Sequence, residues 1–199
     1  RDRVWFFGAA RLSNRETSPT PMTGTNINYL NVRDQKRYEA KLTYALNSSH
    51  NFKGSYSRID DAEEGNAFTP IMDRASLVNR ETPQDLVSAN YTGIISPKFF
   101  VEAQYSLRHF TFVGSGSQFT DRIRGTLMID QARANARFNS PTFCGVCTDE
   151  KRNNQNFVAK ATYFASTGGL GTHRLVGGID VFDDKRMANN HQSGSDYGV

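Results

Sequence analysis

Long hydrophobic runs are missing from this sequence of 199 residues. It has no stretch of about 18 consecutive apolar residues, the shortest that usually crosses a bilayer as a helix. The mean hydropathy is -0.59, and together these features exclude helical membrane spans. They do not exclude a transmembrane β-barrel, because its strands alternate apolar and polar residues and therefore average out as polar.

A block of charge of one sign is also missing. The 24 Lys and Arg residues and the 20 Asp and Glu residues are mixed along the chain, and the formal net charge is +4. Basic patches interleaved with aromatic residues are the usual mark of nucleic-acid binding, and none occurs here. We therefore expect no nucleic-acid partner.

Patterns that bind metals or catalyse reactions are scarce. The four histidines are dispersed without ligand spacing, and the acidic pairs at 60–61, 63–64 and 183–184 lack the spacing and turn glycine of a calcium loop. The glycines of residues 168–171 are followed by a predicted strand rather than by a helix, which indicates a turn and not a phosphate loop. No nucleophile, base and orienting acid occur together, so we expect no enzymatic activity, no metal and no cofactor.

Only two cysteines are present, Cys144 and Cys147. A thioredoxin-like redox site would place such a pair at the start of a helix in a βαβ pattern, and a zinc site would need two further ligands nearby. Neither context is visible. The pattern favours a local loop disulfide in an oxidising exterior, with a redox site, a zinc site and free thiols as alternatives.

Alternation with a period of two is what the sequence does contain, most clearly in residues 85–112. Residues 85–95 and 99–112 carry apolar side chains at every second position and polar side chains between them. The link Ser96-Pro97-Lys98 is too short for a crossover, so the two segments are predicted to form an antiparallel hairpin. Each arm reaches the roughly 9–11 residues that a tilted strand needs to cross a bilayer.

The same alternation predicts five further strands, at residues 4–11, 37–46, 52–59, 156–166 and 173–183. One face of the predicted sheet is apolar. The opposite, polar face carries the candidate lumen-facing residues Glu39, Lys41, Glu102, Gln104, Arg108, Lys160, Arg174 and Asp180.

The connections between the predicted strands alternate between long and short. Short turns follow residues 46, 95 and 166, whereas residues 12–36, 60–84 and 114–155 are long and polar, with a brief helix expected at 125–137. Outer-membrane barrels have tight periplasmic turns and long external loops. The sequence thus predicts an all-β fold, an antiparallel meander of about seven strands that is part of a transmembrane β-barrel in the outer membrane of a Gram-negative bacterium.

Several segments carry a resemblance to a known family. They are RDRVWFFGAARL, RYEAKLTYALNSSHNFKGSYS, FFVEAQYSLRHFTF, NSPTFCGVC and HRLVGGIDVFDDKRMANNHQSGSDY. Together they resemble the barrel of TonB-dependent outer-membrane receptors, most closely the Oar-like branch, whose members usually carry a carboxypeptidase-regulatory-like domain. The resemblance spans nearly the whole chain.

This resemblance implies a barrel of about 22 strands, plugged by an N-terminal domain and energised through a TonB box. A plug, a TonB box, a signal peptide and a terminal strand ending in an aromatic residue have no counterpart in residues 1–199. We therefore expect residues 1–199 to be part of a barrel, with contact to the TonB complex made by N-terminal parts outside this sequence.

The expected function is that of an outer-membrane receptor segment for TonB-energised uptake of a siderophore, glycan or peptide. Outer-membrane lipid would surround the apolar face, the polar face would line the lumen, and the long loops would collect the ligand. The alternatives are a surface adhesin or display barrel without transport, and a soluble β-domain that binds carbohydrate or protein.

Overall fold

A computed structural model describes residues 3–199. Its strands, in chain order, are β1 (Val4–Glu16), β2 (Thr20–Pro21), β3 (Asn28–Tyr29), β4 (Val32–Ala45), β5 (His50–Asn66), β6 (Val78–Glu81), β7 (Gln84–Ser96), β8 (Phe99–Phe112), β9 (Met128–Asp130), β10 (Ala136–Phe138), β11 (Glu150–Ser166) and β12 (Thr172–Met187). Three short 3₁₀ turns are the helical segments of the described chain: Arg74–Ser76, Gln131–Arg133 and Gly168–Leu170. None of them has the length and apolar character to cross a membrane.

One large antiparallel sheet dominates the fold. Its seven long strands lie side by side in the order β1-β4-β5-β7-β8-β11-β12, and β6 adds to one end of β5. Each of the seven strands that the alternation predicts is present, so the all-β class and the antiparallel meander are confirmed. The sheet is open in the described residues, with β1 and β12 at its edges, and its place in a closed barrel stays a prediction.

Most of the long strands extend farther toward the long connections than the sequence pattern indicates. Strand β1 continues to Glu16 and β4 begins at Val32, where the pattern predicts loop over residues 12–36. Ladder pairs such as Arg15 opposite Arg33 hold these extensions, and Arg33 forms an ion pair with Asp61 on β5. Apolar alternation stops there because polar side chains occupy both faces, although backbone pairing continues.

The prediction of a brief helix at residues 125–137 is wrong. The segment forms β9, a three-residue 3₁₀ turn and β10, which pair as a short antiparallel hairpin. Ala134 and Asn135 both have a φ of 58°, a left-handed conformation that stops a right-handed helix. The Asp130 carboxylate accepts a hydrogen bond from the Ala132 amide, which further favours a tight turn.

The register of the sheet separates an apolar face from a polar face. Most apolar residues lie beside apolar residues or glycines on their neighbouring strands, as Tyr105 does between Ala89 and Phe157. The exceptions are near the long connections, where Leu12 lies opposite Lys36, Tyr38 opposite Arg58 and Leu107 opposite Gln155. The apolar face consists of Val4, Phe6, Gly8, Ala10, Leu12, Tyr38, Ala40, Leu42, Tyr44, Phe52, Gly54, Tyr56, Val87, Ala89, Tyr91, Val101, Ala103, Tyr105, Leu107, Phe157, Ala159, Ala161, Tyr163, Leu175, Gly177, Ile179 and Val181.

The long connections lie together at one end of the sheet and form a body that we term the loop cap: residues 17–31, 67–83, 113–149 and 188–199. The short turns lie at the other end. All of the buried apolar residues of the described chain belong to the cap: Met22, Ile71, Val78, Leu127, Ala136 and Cys144. The core of this chain therefore lies in its connections rather than on its sheet.

Backbone hydrogen bonds join the segments of the loop cap. The Met72 amide donates to the Arg137 carbonyl, and the Arg137 amide donates to the Pro70 carbonyl, each at 2.9 Å. The Val199 amide donates to the Leu127 carbonyl at 2.9 Å. These bonds join residues 67–83, 113–149 and 188–199 into one unit at the end of the sheet.

Candidate ligand-binding cavity

A cavity of about 530 Å³ lies where the loop cap meets the ends of β8 and β11. Its lining residues come from the segments 67–83, 113–149 and 188–199 of the cap and from the first or last residues of the two strands. Small-molecule sites in proteins commonly occupy roughly 300–1,000 Å³. The cavity therefore has the size of a site for a small ligand.

Aromatic rings form the apolar wall of the cavity. The rings of Phe68 and Phe143 meet edge to face, with 6.4 Å between their centroids. Phe112, at the end of β8, packs against Phe110 at 4.8 Å and lies under the Arg152 guanidinium. Aromatic surfaces of this kind bind the apolar groups of a ligand.

A disulfide between Cys144 and Cys147 forms another part of the wall. The segment around it is held against Ser117, which donates its amide to the Phe143 carbonyl at 3.0 Å and accepts from the Gly145 amide at 2.8 Å. A Cβ atom at Gly145 would lie 2.5 Å from the Gly116 carbonyl oxygen, so this close approach requires glycine. The disulfide is the form that the sequence favours, and its external location stays a prediction.

Two of the charged residues that line the cavity are neutralised by neighbours. Arg80 forms an ion pair with Glu63 at 2.9 Å, and its guanidinium lies 4.8 Å from the centre of the Phe68 ring. Glu150 pairs with Arg152 and also accepts a hydrogen bond from the Asn189 amide at 3.0 Å. These contacts join β6 to β5 and β11 to residues 188–199 beside the cavity.

Three other polar groups of the lining have few partners. Arg137 donates to the Thr142 hydroxyl but forms no ion pair within residues 3–199. Asp149 likewise takes part in no ion pair in the described part of the chain. The Ser115 hydroxyl oxygen is buried and has no hydrogen-bond partner there. A buried polar atom without a partner is costly, so the Ser115 hydroxyl is available to a ligand. Arg137 and Asp149 are partly buried charges without an ion-pair partner in the described chain, and a ligand charge can supply one.

Two carboxylates outside the cavity stabilise the turns of the loop cap. Hydrogen bonds from the backbone amides of Arg124 and Ile123 lower the pKa of Asp121. A hydrogen bond from the Arg133 guanidinium lowers the pKa of Asp130. Both residues favour their ionised form in the folded cap, because each acts as an acceptor at the start of a turn.

The eight candidate lumen residues from the sequence lie on one face of the sheet, opposite the apolar face. The register places them on β4, β8, β11 and β12: Glu39, Lys41, Glu102, Gln104, Arg108, Lys160, Arg174 and Asp180. That this face lines a lumen stays a prediction. None of the eight lines the cavity, so the sheet and the cavity are separate polar surfaces.

Local pairs on the polar face involve several of these residues. Glu102 and Lys160 form an ion pair between β8 and β11, the one such contact between two of the eight in the described chain. Asp180 accepts a hydrogen bond from the Asn156 amide group at 2.8 Å. Spread over four strands, the eight residues do not form a single cluster.

Sequence reasoning missed most residues of the cavity, among them Phe68, Arg80, Arg137 and Asp149. They come from connections that lack periodicity, and the structure brings them together by contacts between segments far apart in sequence. The cysteine pair is the single signal in the sequence that lies on the cavity wall.

Comparison with known proteins and a search for metal sites both gave negative results. No family model, curated protein or solved structure matches the chain. Within residues 3–199, no group of three or more His, Cys, Asp or Glu residues is arranged to bind a metal ion. The sheet and the cavity are therefore the features of the molecule that bear on its function.

Proposed function

We propose that this chain is a segment of an outer-membrane β-barrel receptor of the TonB-dependent, Oar-like type, and that its loop cap binds the ligand to be taken up. The observation that supports the barrel is the sheet itself, whereas the TonB-dependent, Oar-like type rests on the resemblance of the sequence segments alone. The sheet has one exposed apolar face, one polar face and every long connection at the same end. This arrangement is typical of outer-membrane barrels.

The exposure of the apolar face supports a lipid environment. Phe6, Leu42 and Ile179, on three different strands, are 88%, 51% and 56% exposed. Soluble monomers rarely expose a continuous apolar patch of more than a few hundred Å². The seven long strands have 13 to 17 residues each, more than the roughly 9–11 residues that a membrane crossing needs.

Aromatic residues near the short turns support the same orientation. On the apolar face, Phe52 lies between Tyr44 and Tyr91, with ring centroids 6.5 Å and 4.9 Å away. All three residues are close to the short-turn end of their strands. Tyrosine and phenylalanine form such girdles where a barrel meets the membrane interface. The short turns would then lie on the periplasmic side and the loop cap outside.

The polar face supports a lumen. Its ion pair between Glu102 and Lys160 and its hydrogen bond between Asp180 and Asn156 satisfy charged groups that lipid would not tolerate. In the receptor this face would contact a plug domain. The free edges of β1 and β12 would pair with further strands of the barrel, and N-terminal parts outside this sequence would contact the TonB complex.

The proposal is tested by the energy requirement of uptake. Cells with and without the full-length gene, in backgrounds with and without functional TonB, are compared for growth on limiting iron, glycan or peptide sources. We expect a growth advantage that requires both the gene and TonB, because a plugged barrel does not pass solute by diffusion. An advantage that needs the gene but not TonB would contradict uptake by a TonB-dependent receptor and favour the adhesin or display barrel.

A further inference from the structure

The cavity of the loop cap carries an inference about the class of ligand. Its aromatic wall of Phe68, Phe112 and Phe143 suits an apolar side chain. Its polar lining adds Arg137, Asp149 and the Ser115 hydroxyl, which the described chain leaves without the partners that such groups normally have. A matching ligand therefore combines an apolar body with polar groups of both charges.

Arg137 and Asp149, the two lining charges without an ion-pair partner in the described chain, are of opposite sign. This disfavours a ligand that carries a single charge. A ligand with only an anionic group would be attracted by Arg137 and repelled by Asp149, and a ligand with only a cationic group would meet the reverse. The other lining charges, Arg80 and Glu150, are already paired with Glu63 and Arg152. A zwitterion is the ligand that satisfies both remaining charges.

Arg137 is held in place before a ligand arrives. Its amide donates to the Pro70 carbonyl, its carbonyl accepts from the Met72 amide, and it pairs with Ile129 on β9. The planar guanidinium of arginine binds a carboxylate through two parallel hydrogen bonds. Because the backbone around it is fixed, binding of a ligand carboxylate to Arg137 would have to order only the side chain.

We propose that the cavity binds a short peptide with apolar side chains and free termini, the carboxylate on Arg137, the ammonium group on Asp149 and a side chain against the aromatic wall. The Ser115 hydroxyl then donates to or accepts from the peptide backbone. This inference deepens the proposed function, on which it rests for the role of the cavity in uptake.

The test combines blocked ligands with matched variants of the full-length protein in detergent micelles. The probes are the dipeptide L-Leu-L-Phe, its N-acetylated form and its C-terminal amide, titrated by calorimetry. We expect the wild-type protein to bind the free dipeptide about tenfold more tightly than either blocked form, since each block removes one charge-assisted contact. This comparison does not depend on any variant.

The variants assign each terminus to a residue. Arg137→Gln should bind the free dipeptide and its amide equally, and Asp149→Asn should bind the free dipeptide and its N-acetylated form equally. The matched controls are Arg122→Gln, an exposed arginine of the cap outside the cavity, and Asp184→Asn on β12, both of which should retain the wild-type preference.

Failure of this inference and failure of the proposed function give different results. A wild-type protein that binds all three forms equally, or none of them, overturns the peptide site, while TonB-dependent growth in the same cells still supports the receptor. A protein that binds the free dipeptide more tightly than its blocked forms, in cells whose growth does not depend on TonB, supports the peptide site and overturns the receptor function.

Discussion

Apolar side chains differ in their exposure between the two regions of this chain, the sheet and the loop cap. In the sheet, Phe6, Leu42 and Ile179 are at least half exposed, whereas in the loop cap Met22 and Ile71 are 2% and 3% exposed. The cap thus has a small core of its own, and the sheet has an apolar surface without a layer above it in the described residues. We infer that the cap is adapted to water, whereas the apolar face of the sheet is adapted to an apolar environment.

Polar residues show the same division. In the cap, the hydroxyls of Ser117 and Thr126 are buried and hydrogen-bonded, to the Phe119 carbonyl at 2.9 Å and to the Arg122 carbonyl at 2.6 Å. In the sheet, most polar side chains are gathered on one face and remain partly exposed. A cap whose buried polar groups are bonded internally, apart from the Ser115 hydroxyl, can keep its shape without help from lipid.

The largest difference between the two regions is expected when a buried side chain in the core of the loop cap is shortened. Ile71→Ala removes a side chain that is 3% exposed and should destabilise the cap by about 2–5 kcal/mol. Hydrogen exchange of the full-length protein in micelles should show loss of protection in the cap and unchanged protection in the sheet. The control is Ile123→Ala, 80% exposed, with an expected change within about 0.5 kcal/mol. Equal loss in both regions would contradict a separate core in the cap.

A charge on the apolar face tests the other side of the comparison. Leu42→Arg should cost about 2–4 kcal/mol of folding free energy in a bilayer, because lipid does not solvate the guanidinium. Thr43→Arg, one position along β4 on the polar face, is the matched control and should cost much less. Urea titration of the full-length protein folding into vesicles measures both. Similar costs for the two variants would be evidence against lipid on the apolar face.

The sheet was predictable from the sequence and the cap was not. Alternation is a local signal, so the seven strands and the faces of residues such as Tyr105 and Lys160 follow from the sequence alone. The cap depends on contacts such as Ile71 with Arg137 and Leu127 with Gly198, between residues far apart in the chain. Its ladders are only two to four residues long, too short for periodicity to show.

A smaller effect is expected from the disulfide, which closes a short loop on the cavity wall. Replacing Cys144 and Cys147 by serine should destabilise the cap by about 2 kcal/mol, the value that loop-closure entropy gives for a loop of about four residues. Adding dithiothreitol should have the same effect on the wild-type protein and none on the double variant. Hydrogen exchange of the cap measures both changes. A wild-type cap that is insensitive to the reductant would show that the disulfide does not stabilise it.

The smallest effect is expected from pH. Hydrogen bonds from the Arg124 and Ile123 amides lower the pKa of Asp121 in the folded cap below its usual value near 3.9. A carboxylate with a depressed pKa stabilises the fold above that usual value, and the contribution is lost as the pH falls through the lower, folded pKa. Thermal unfolding of the cap should therefore shift to lower temperature between about pH 5 and about pH 2, and less so in Asp121→Asn, whose side-chain oxygen still accepts the two amide bonds without titrating. Asp184→Asn, on β12 of the sheet, should retain the full shift of the wild-type cap. An identical shift in wild type and Asp121→Asn would exclude Asp121 as a source of the acid sensitivity.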